Sequence, residues 1–265
     1  MEFVNAIILG IVQGLTEFIP VSSSGHLIIA RTFLGAQASY ELAFDAVLQL
    51  ATTLAVLVYF SKDLFGCLRS AWLMMLRKPV AQTERTLLVA IVLGTIPAVG
   101  AGLLLEDVMD TLFRSTQLVA LSLVVGALIM YAAERFASGQ SALTRTRGFL
   151  IGCFQALALV PGFSRSGMTI AGGLFLGLNR EAATRFAFVL AFPILLGSGL
   201  KKLLDLYQAG LLASVGTPLL TGSVVSFVVG LAAIHFLVSY LKRHTLQVFI
   251  WYRLILAVLL LVFFV

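Results

Sequence analysis

The sequence predicts an all-α polytopic membrane protein with six transmembrane helices, two re-entrant helical hairpins and an inverted-topology repeat. Of its 265 residues, 60% are hydrophobic and only 11% are charged, whereas soluble proteins carry about 25% charged residues. The apolar runs are about 18–25 residues long, which suits helices rather than the ten-residue strands of a membrane barrel. Two further hydrophobic stretches are interrupted by proline, glycine and serine, and these two interruptions resemble each other.

Six apolar runs are long enough to cross a bilayer as helices. We predict the spans at roughly 41–60, 86–105, 116–133, 184–201, 217–239 and 246–264. The first segment lacks the basic start and small-residue cleavage site of a signal peptide, so we expect it to be retained. The whole chain is expected to form one integral membrane domain.

The two broken stretches are predicted to be re-entrant hairpins. The first covers residues 3–34 and is interrupted at 20–26 (PVSSSGH), and the second covers residues 148–178 and is interrupted at 161–167 (PGFSRSG). Proline removes a backbone donor and ends a helix, and Gly/Ser clusters favour turns. Each stretch should therefore consist of two short helices joined at the break.

The spacing of the breaks indicates a duplicated unit. Gly25 lies twelve positions after Gln13, and Gly167 lies twelve positions after Gln155. Each hairpin returns to its own side of the membrane and is followed by three spans, so the second copy must be inverted relative to the first. Binding sites of such inverted repeats lie where the broken helices meet near the midplane. The predicted repeats cover about 1–134 and 147–265.

The loop charges predict an orientation. The loops at 61–85, 134–147 and 240–245 are basic, and the loop at 106–114 is acidic through Glu106, Asp107 and Asp110. Basic loops stay on the cytoplasmic side, so both termini should face outward and the first hairpin should enter from outside. This rule explains the net charge of +6 without a nucleic-acid partner.

Two charged residues in the broken stretches are the first candidates for function. Glu17 lies just before the first break, with Gln13 one helical turn earlier. An ionisable side chain at membrane depth costs at least about 2.5–3.5 kcal/mol and is a functional-site candidate by default. Arg165 lies in the second break between Ser164 and Ser166, and its planar guanidinium suits phosphate oxygens. The alternative is a purely structural ion pair between Glu17 and Arg165.

Hydroxyl groups and one histidine surround the first break. They are Ser22, Ser23, Ser24 and His26. Serines in a break can merely satisfy freed backbone groups, but a nucleophilic Ser23 would need a base such as His26 or Glu17. Thr169, after the second break, could contribute to anion binding.

Other polar residues give weaker signals. Asp45 and Gln49 in the first full span could approach the site or bind neighbouring groups. Glu181 and Arg185 are predicted to form an i,i+4 ion pair on the cytoplasmic side. Arg253 fits no constellation in the sequence.

These residues together predict an anion site in the membrane. A carboxylate, an arginine, hydroxyls and two helix ends match phosphate best. A diphosphate carries more negative charge than one arginine neutralises. We therefore expect a divalent cation, Mg²⁺ or else Ca²⁺, to bridge Glu17 and phosphate oxygens. The depth of the site suits a substrate whose tail stays in lipid.

Two segments carry a family resemblance. Residues 13–26 (QGLTEFIPVSSSGH) and 161–169 (PGFSRSGMT) resemble the two signatures of the undecaprenyl-diphosphate phosphatase family (UppP or BacA type), and the similarity extends over the whole chain. The resemblance implies hydrolysis of undecaprenyl diphosphate to the monophosphate and phosphate, recycling of the carrier lipid for cell-wall synthesis, and bacitracin resistance. It also implies a location in the bacterial inner membrane and assembly as a homodimer. With the orientation predicted from the loop charges, the site would open to the outer side.

The resemblance also assigns roles to residues. It implies catalytic roles for Glu17, Ser23, His26 and Arg165. The substrate-binding candidates are Gln13, Ser22, Ser24, Ser164, Ser166 and Thr169. Some family members have glutamate at the position of Gln13, so a mechanism that requires two acidic metal ligands there is in doubt for this chain.

Two mechanisms and two other functions stay open at this point. Either Ser23 attacks the terminal phosphorus, or a metal-held water attacks and Ser23 orients the phosphate. Inverted repeats with midplane breaks are also typical of transporters, so the chain could instead transport or flip a polyprenyl phosphate lipid or another anion. A structural or assembly subunit is the third alternative, against which the intramembrane charges argue.

Overall fold

The computed structural model describes residues 3–35, 41–105, 115–210 and 212–264, and all regular secondary structure within these ranges is helical. The helices are α1 (Phe3–Phe18), α2 (Ser23–Leu34), α3 (Glu41–Tyr59), α4 (Ser61–Met75), α5 (Gln82–Leu104), α6 (Thr116–Phe136), α7 (Arg145–Leu157), α8 (Arg165–Phe175), α9 (Arg180–Gln208), α10 (Leu212–Leu241) and α11 (Gln247–Phe264). The all-helical prediction is confirmed.

Each predicted span coincides with one helix. In chain order these helices are α3, α5, α6, α9, α10 and α11. Among the described residues, α5, α6, α9 and α10 are each long and apolar enough to cross a bilayer, and α3 together with α4 forms a bent pair that raises the number to five. α11 is apolar but shorter. The chain is therefore a multi-pass membrane protein, and the sixth span stays a prediction.

The 61–85 loop prediction is wrong, because most of this segment forms α4. The chain turns at Phe60, and α4 leaves α3 at an angle of 82°. Its charged residues suggested a loop, yet Leu64, Cys67 and Ser70 recur at helical spacing and are buried on one face. The neighbouring acidic loop at 106–114, used for the orientation, lies outside the described residues.

The predicted ion pair within α9 is also wrong. The Arg185 guanidinium donates to Asp63 of α4, with N–O distances of 2.6 and 3.0 Å. Glu181 instead pairs with Lys242 near the end of α10, at 3.3 Å. Partners on other helices thus replace the local i,i+4 partner.

Both breaks have the same local structure. α2 and α8 each begin after a serine whose φ is positive, 76° at Ser22 and 68° at Ser164. Each of these hydroxyls accepts a hydrogen bond from a glycine amide, Gly25 at 3.4 Å and Gly167 at 3.3 Å. A positive φ is unfavourable for a residue with a side chain, so the same strained cap occurs twice.

The sequence register extends this likeness beyond the caps. Residues 22–35 and 164–177 are identical at seven of fourteen positions when aligned with an offset of 142. This register places Arg165 at the position of Ser23. The packing is also paired, since α1 lies against α10 and α7 lies against α5, and each broken hairpin packs its two helices together. These features support the proposal of duplicated halves.

Close helix contacts hold the hairpins among the spans. On Gly14 of α1, an added Cβ would lie 2.8 Å from the Ser226 carbonyl oxygen of α10. On Gly152 of α7, it would lie 2.1 Å from the Gly94 carbonyl oxygen of α5. Small residues of this kind let membrane helices approach closely, which places the ends of α1 and α7 inside the bundle.

Candidate functional site

The site is built around the buried carboxylate of Glu17, in the last turn of α1. Its Oε2 accepts hydrogen bonds from Ser23 Oγ at 2.9 Å and from Gln13 Nε2 at 3.0 Å. Gln49 Nε2 lies 3.4 Å from both carboxylate oxygens. Side-chain donors from α1, α2 and α3 thus converge on one carboxylate.

Arg165 approaches the same carboxylate from the other half of the chain. Its Nη1 lies 3.7 Å from Glu17 Oε1, an ion-pair distance that is too long for a hydrogen bond. Within the described part of the chain, this buried Nη1 has no hydrogen-bond partner. The side chain is 22% exposed, so the guanidinium keeps a donor available beside the carboxylate.

The first residues of α2 and α8 therefore meet at one carboxylate. Ser23 begins α2 and Arg165 begins α8, and both side chains reach Glu17. The first amides of a helix have no partner within it, and the helix dipole favours negative charge there. Two helix N-termini, one hydroxyl and one guanidinium thus converge on a small region.

The remaining predicted hydroxyls mainly bind the backbone and each other. Ser22 and Ser164 are the helix caps, and their hydroxyls lie 3.2 Å from those of Ser24 and Ser166 respectively. The Thr169 hydroxyl donates to the Arg165 carbonyl oxygen at 2.7 Å. Their observed role is to shape the two breaks.

The His26 ring forms hydrogen bonds with groups other than the Ser23 hydroxyl. Its Nδ1 lies 2.7 Å from the Ser22 carbonyl oxygen and its Nε2 lies 2.7 Å from the Tyr252 hydroxyl. Because a carbonyl only accepts, Nδ1 carries the proton, and Nε2 of a neutral ring accepts from tyrosine. The hydrogen-bond acceptor of Ser23 is Glu17, so the geometry favours Glu17 over His26 as its base.

The two polar residues of α3 have different partners. Gln49 reaches Glu17 as described, whereas Asp45 forms an ion pair with Arg31 of α2. Of the two weaker candidates, only Gln49 is thus bonded to the site carboxylate. Asp45 instead links α2 to α3.

Two residues of α11 at the site were missed from the sequence. Tyr252 binds His26, and the fully buried Arg253 donates to backbone carbonyls of both breaks. One signal was available for Arg253, because it is a charge within an apolar run, the same rule that identified Glu17. No equivalent signal marked Tyr252.

An apolar cavity adjoins the Glu17–Arg165 pair. Its apolar lining consists of Phe18, Val56, Ala187, Phe188, Ala191 and Leu195. Phe18 and Phe188 also pack edge to face, with ring centroids 5.4 Å apart. The Glu17–Arg165 pair therefore lies beside an apolar wall.

The residues present fit a divalent cation only if the bound anion supplies most of its ligands. In the described ranges, no three His, Cys, Asp or Glu side chains come close enough to hold a metal. Glu17 is a single carboxylate, and Gln13 offers an amide where a second carboxylate could stand. Mg²⁺ is commonly held by one or two carboxylates together with substrate phosphates, which is the arrangement this site allows.

Comparisons with known proteins agree with the sequence signatures. Residues 6–259 match the family described as bacitracin resistance protein BacA. The chain is 43% identical to an undecaprenyl-diphosphatase of Mycobacterium sp. (strain KMS), covering 99% of this chain and 96% of the relative. It is 44% identical to undecaprenyl-diphosphatase 1 of Corynebacterium jeikeium (98% and 93% covered) and 42% identical to an undecaprenyl-diphosphatase of Idiomarina loihiensis (100% of both).

Proposed function

Because the chain belongs to the bacitracin resistance protein BacA family, we propose that it hydrolyses undecaprenyl diphosphate to undecaprenyl phosphate and inorganic phosphate. One observation carries the proposal: the first side chains of two broken helices, Ser23 and Arg165, converge on the buried Glu17 carboxylate. The reaction recycles the carrier lipid for cell-wall synthesis. It also consumes the diphosphate that bacitracin sequesters, consistent with antibiotic resistance.

The substrate diphosphate is proposed to bind between the N-termini of α2 and α8. The unused Nη1 donor of Arg165 would bind a phosphate oxygen, and the amides at the two helix starts would bind others. The apolar wall with Phe18 and Phe188 lies next to this position, where it is proposed to contact the first part of the prenyl chain. Gln13, Ser24 and Ser166 stay proposed binding residues, and of these Gln13 is hydrogen-bonded to Glu17.

Ser23 is the proposed nucleophile. Its Oγ attacks the terminal phosphorus while its proton passes to Glu17 Oε2, 2.9 Å away, and the bond from phosphorus to the bridging oxygen breaks. Undecaprenyl phosphate leaves with that oxygen. The departing phosphate oxygen takes the proton from Glu17, which restores the carboxylate. Water then attacks the phosphoserine, and Glu17 takes a proton from the water. As the bond from phosphorus to Oγ breaks, Glu17 returns that proton to Ser23 Oγ and inorganic phosphate is released. Positioning and charge stabilisation supply most of the catalysis in such reactions.

A divalent cation, Mg²⁺ or else Ca²⁺, is proposed to be held by Glu17 together with the diphosphate. When bound, it would neutralise charge that develops on the phosphate oxygens. Arg165 contributes a second positive charge. The Gln13 amide hydrogen-bonds Glu17 and thereby fixes the carboxylate without adding negative charge.

The protein is proposed to lie in the bacterial inner membrane with its site open to the outer side. The basic segments at 61–85, 134–147 and 240–245 then face the cytoplasm. The halves at about 1–134 and 147–265 are proposed to be inverted repeats, and a homodimer is proposed as the assembly. Labelling of single cysteines in these basic segments from either side of the membrane tests the orientation.

A phosphate-release assay tests the function. Purified wild-type protein in detergent should release phosphate from undecaprenyl diphosphate. Chelator, or the substitution Arg165→Ala, should abolish this release. A pure transporter or flippase would release none in detergent, since transport needs two compartments, so this result would replace the proposed hydrolysis. Full activity of Arg165→Ala would remove Arg165 from the site.

A further inference from the structure

We propose that Arg253 is a positioning residue that holds the two breaks in their reactive arrangement. Its side chain is fully buried on α11. Its guanidinium donates to Gly162 at 2.9 Å and Phe163 at 3.0 Å in the second break, and to Pro20 at 3.4 Å in the first. One side chain thus links the loops that come directly before Ser22 and Ser164.

The same guanidinium also anchors both breaks to α6. It donates to the carbonyl oxygens of Leu123 at 3.3 Å and Ser122 at 3.4 Å. In the described ranges all partners of Arg253 are neutral carbonyls, and no carboxylate pairs with it. A buried charge without a counter-ion is unfavourable, so a simple packing role would be served better by an apolar residue.

The location of these bonds suggests what they control. Pro20 lies three residues before Ser23, and Phe163 lies two residues before Arg165. The intervening residues Ser22 and Ser164 have positive φ, a conformation that persists only where the surroundings enforce it. Arg253 therefore fixes the position of the proposed nucleophile Ser23 relative to the phosphate-binding guanidinium of Arg165. Lysine could not replace it, because a single ammonium lacks the planar fork of five donors.

A substitution at Gly126 offers a second way to disturb this contact. A Cβ at Gly126 of α6 would lie 2.2 Å from Arg253 Nη2, 3.2 Å from its Cζ and 3.3 Å from the Phe163 carbonyl oxygen that Arg253 binds. Gly126→Ala would therefore push the guanidinium away from the breaks without altering any charge. Gly100→Ala on α5 is the matched control, because a Cβ at Gly100 has nothing within 4 Å.

Two readouts test the inference, one of which needs no activity. Hydrogen–deuterium exchange of peptides covering residues 18–26 and 160–168 should become about tenfold faster at both breaks in Arg253→Lys and Gly126→Ala. Exchange elsewhere, and throughout Gly100→Ala, should match wild type. If both variants keep wild-type exchange at the breaks, Arg253 does not hold them.

The kinetic readout rests on the proposed phosphatase function. Since a misplacement of about 1 Å can reduce a rate about 100-fold, kcat of Arg253→Lys and Gly126→Ala should fall by about that factor, with melting temperature and KM little changed. If the variants instead lose activity together with a lower melting temperature and faster exchange throughout the chain, Arg253 has a merely structural role. If wild type releases no phosphate, the proposed function fails, and the exchange comparison still decides the positioning role.

Discussion

Replacing Glu17 by glutamine keeps the shape of the side chain and removes the charge on which the site is centred. In the native structure the carboxylate accepts from Ser23 at 2.9 Å and from Gln13 at 3.0 Å, and it faces Arg165 at 3.7 Å. An amide in its place cannot accept the Ser23 proton. General-base catalysis contributes about 10²–10⁴-fold, so kcat/KM should fall by that factor, about 3–5 kcal/mol of transition-state stabilisation.

The assay is initial-rate phosphate release from undecaprenyl diphosphate in detergent, with Gln49→Leu as the comparison. Gln49 donates only long, 3.4 Å hydrogen bonds to Glu17, so its loss should cost about tenfold or less. Melting temperature should show that both variants are folded. If Glu17→Gln retains more than about a tenth of the wild-type rate, its carboxylate is not the base.

Three further outcomes are expected. Ser23→Ala should reduce turnover at least about 100-fold. With a substrate that carries ³²P in its terminal phosphate, the label should be captured on the wild-type protein but not on this variant. Equal capture on both proteins would exclude Ser23 as the nucleophile. Treatment with EDTA should abolish phosphate release and added Mg²⁺ should restore it, whereas unchanged turnover would rule out the proposed cation. Glu134→Ala should lower the free energy of unfolding by about 1–3 kcal/mol, because the Glu134 carboxylate accepts from Arg180 (2.5–3.1 Å) and from the Leu246 amide (2.8 Å). Lys242→Ala, which removes one partner of an exposed ion pair, should change the free energy of unfolding little. Similar melting temperatures for the two variants would contradict this.

The sequence was most informative about charged residues in stretches that are expected to lie within the bilayer. Glu17 and Arg165 are costly in lipid, so their presence in the broken stretches marked the site, and their proximity at 3.7 Å agrees with that reasoning. Apolar length likewise predicted helices for every span. These inferences work because the bilayer requires each backbone polar group to be satisfied within the protein.

What the sequence could not supply were contacts between distant helices. Arg185 pairs with Asp63 at the start of α4 rather than with Glu181 four residues away, and this contact joins residues 122 positions apart in the sequence. The link between Tyr252 and His26 spans 226 positions and has no local pattern. Arg253 was visible as a charge in an apolar run, but its acceptors are backbone carbonyls, which no side-chain motif can reveal.

A double-mutant cycle on Glu17→Gln and Arg165→Lys tests most directly whether the two halves of the chain form one reactive site. Phosphate-release kcat/KM would be measured for wild type, both single variants and the double variant. Residues that act together are strongly non-additive, so the double variant should lose at least about tenfold less than the product of the two single losses. Losses that simply multiply would mean that Glu17 and Arg165 act independently, and the shared site between the two breaks would be wrong.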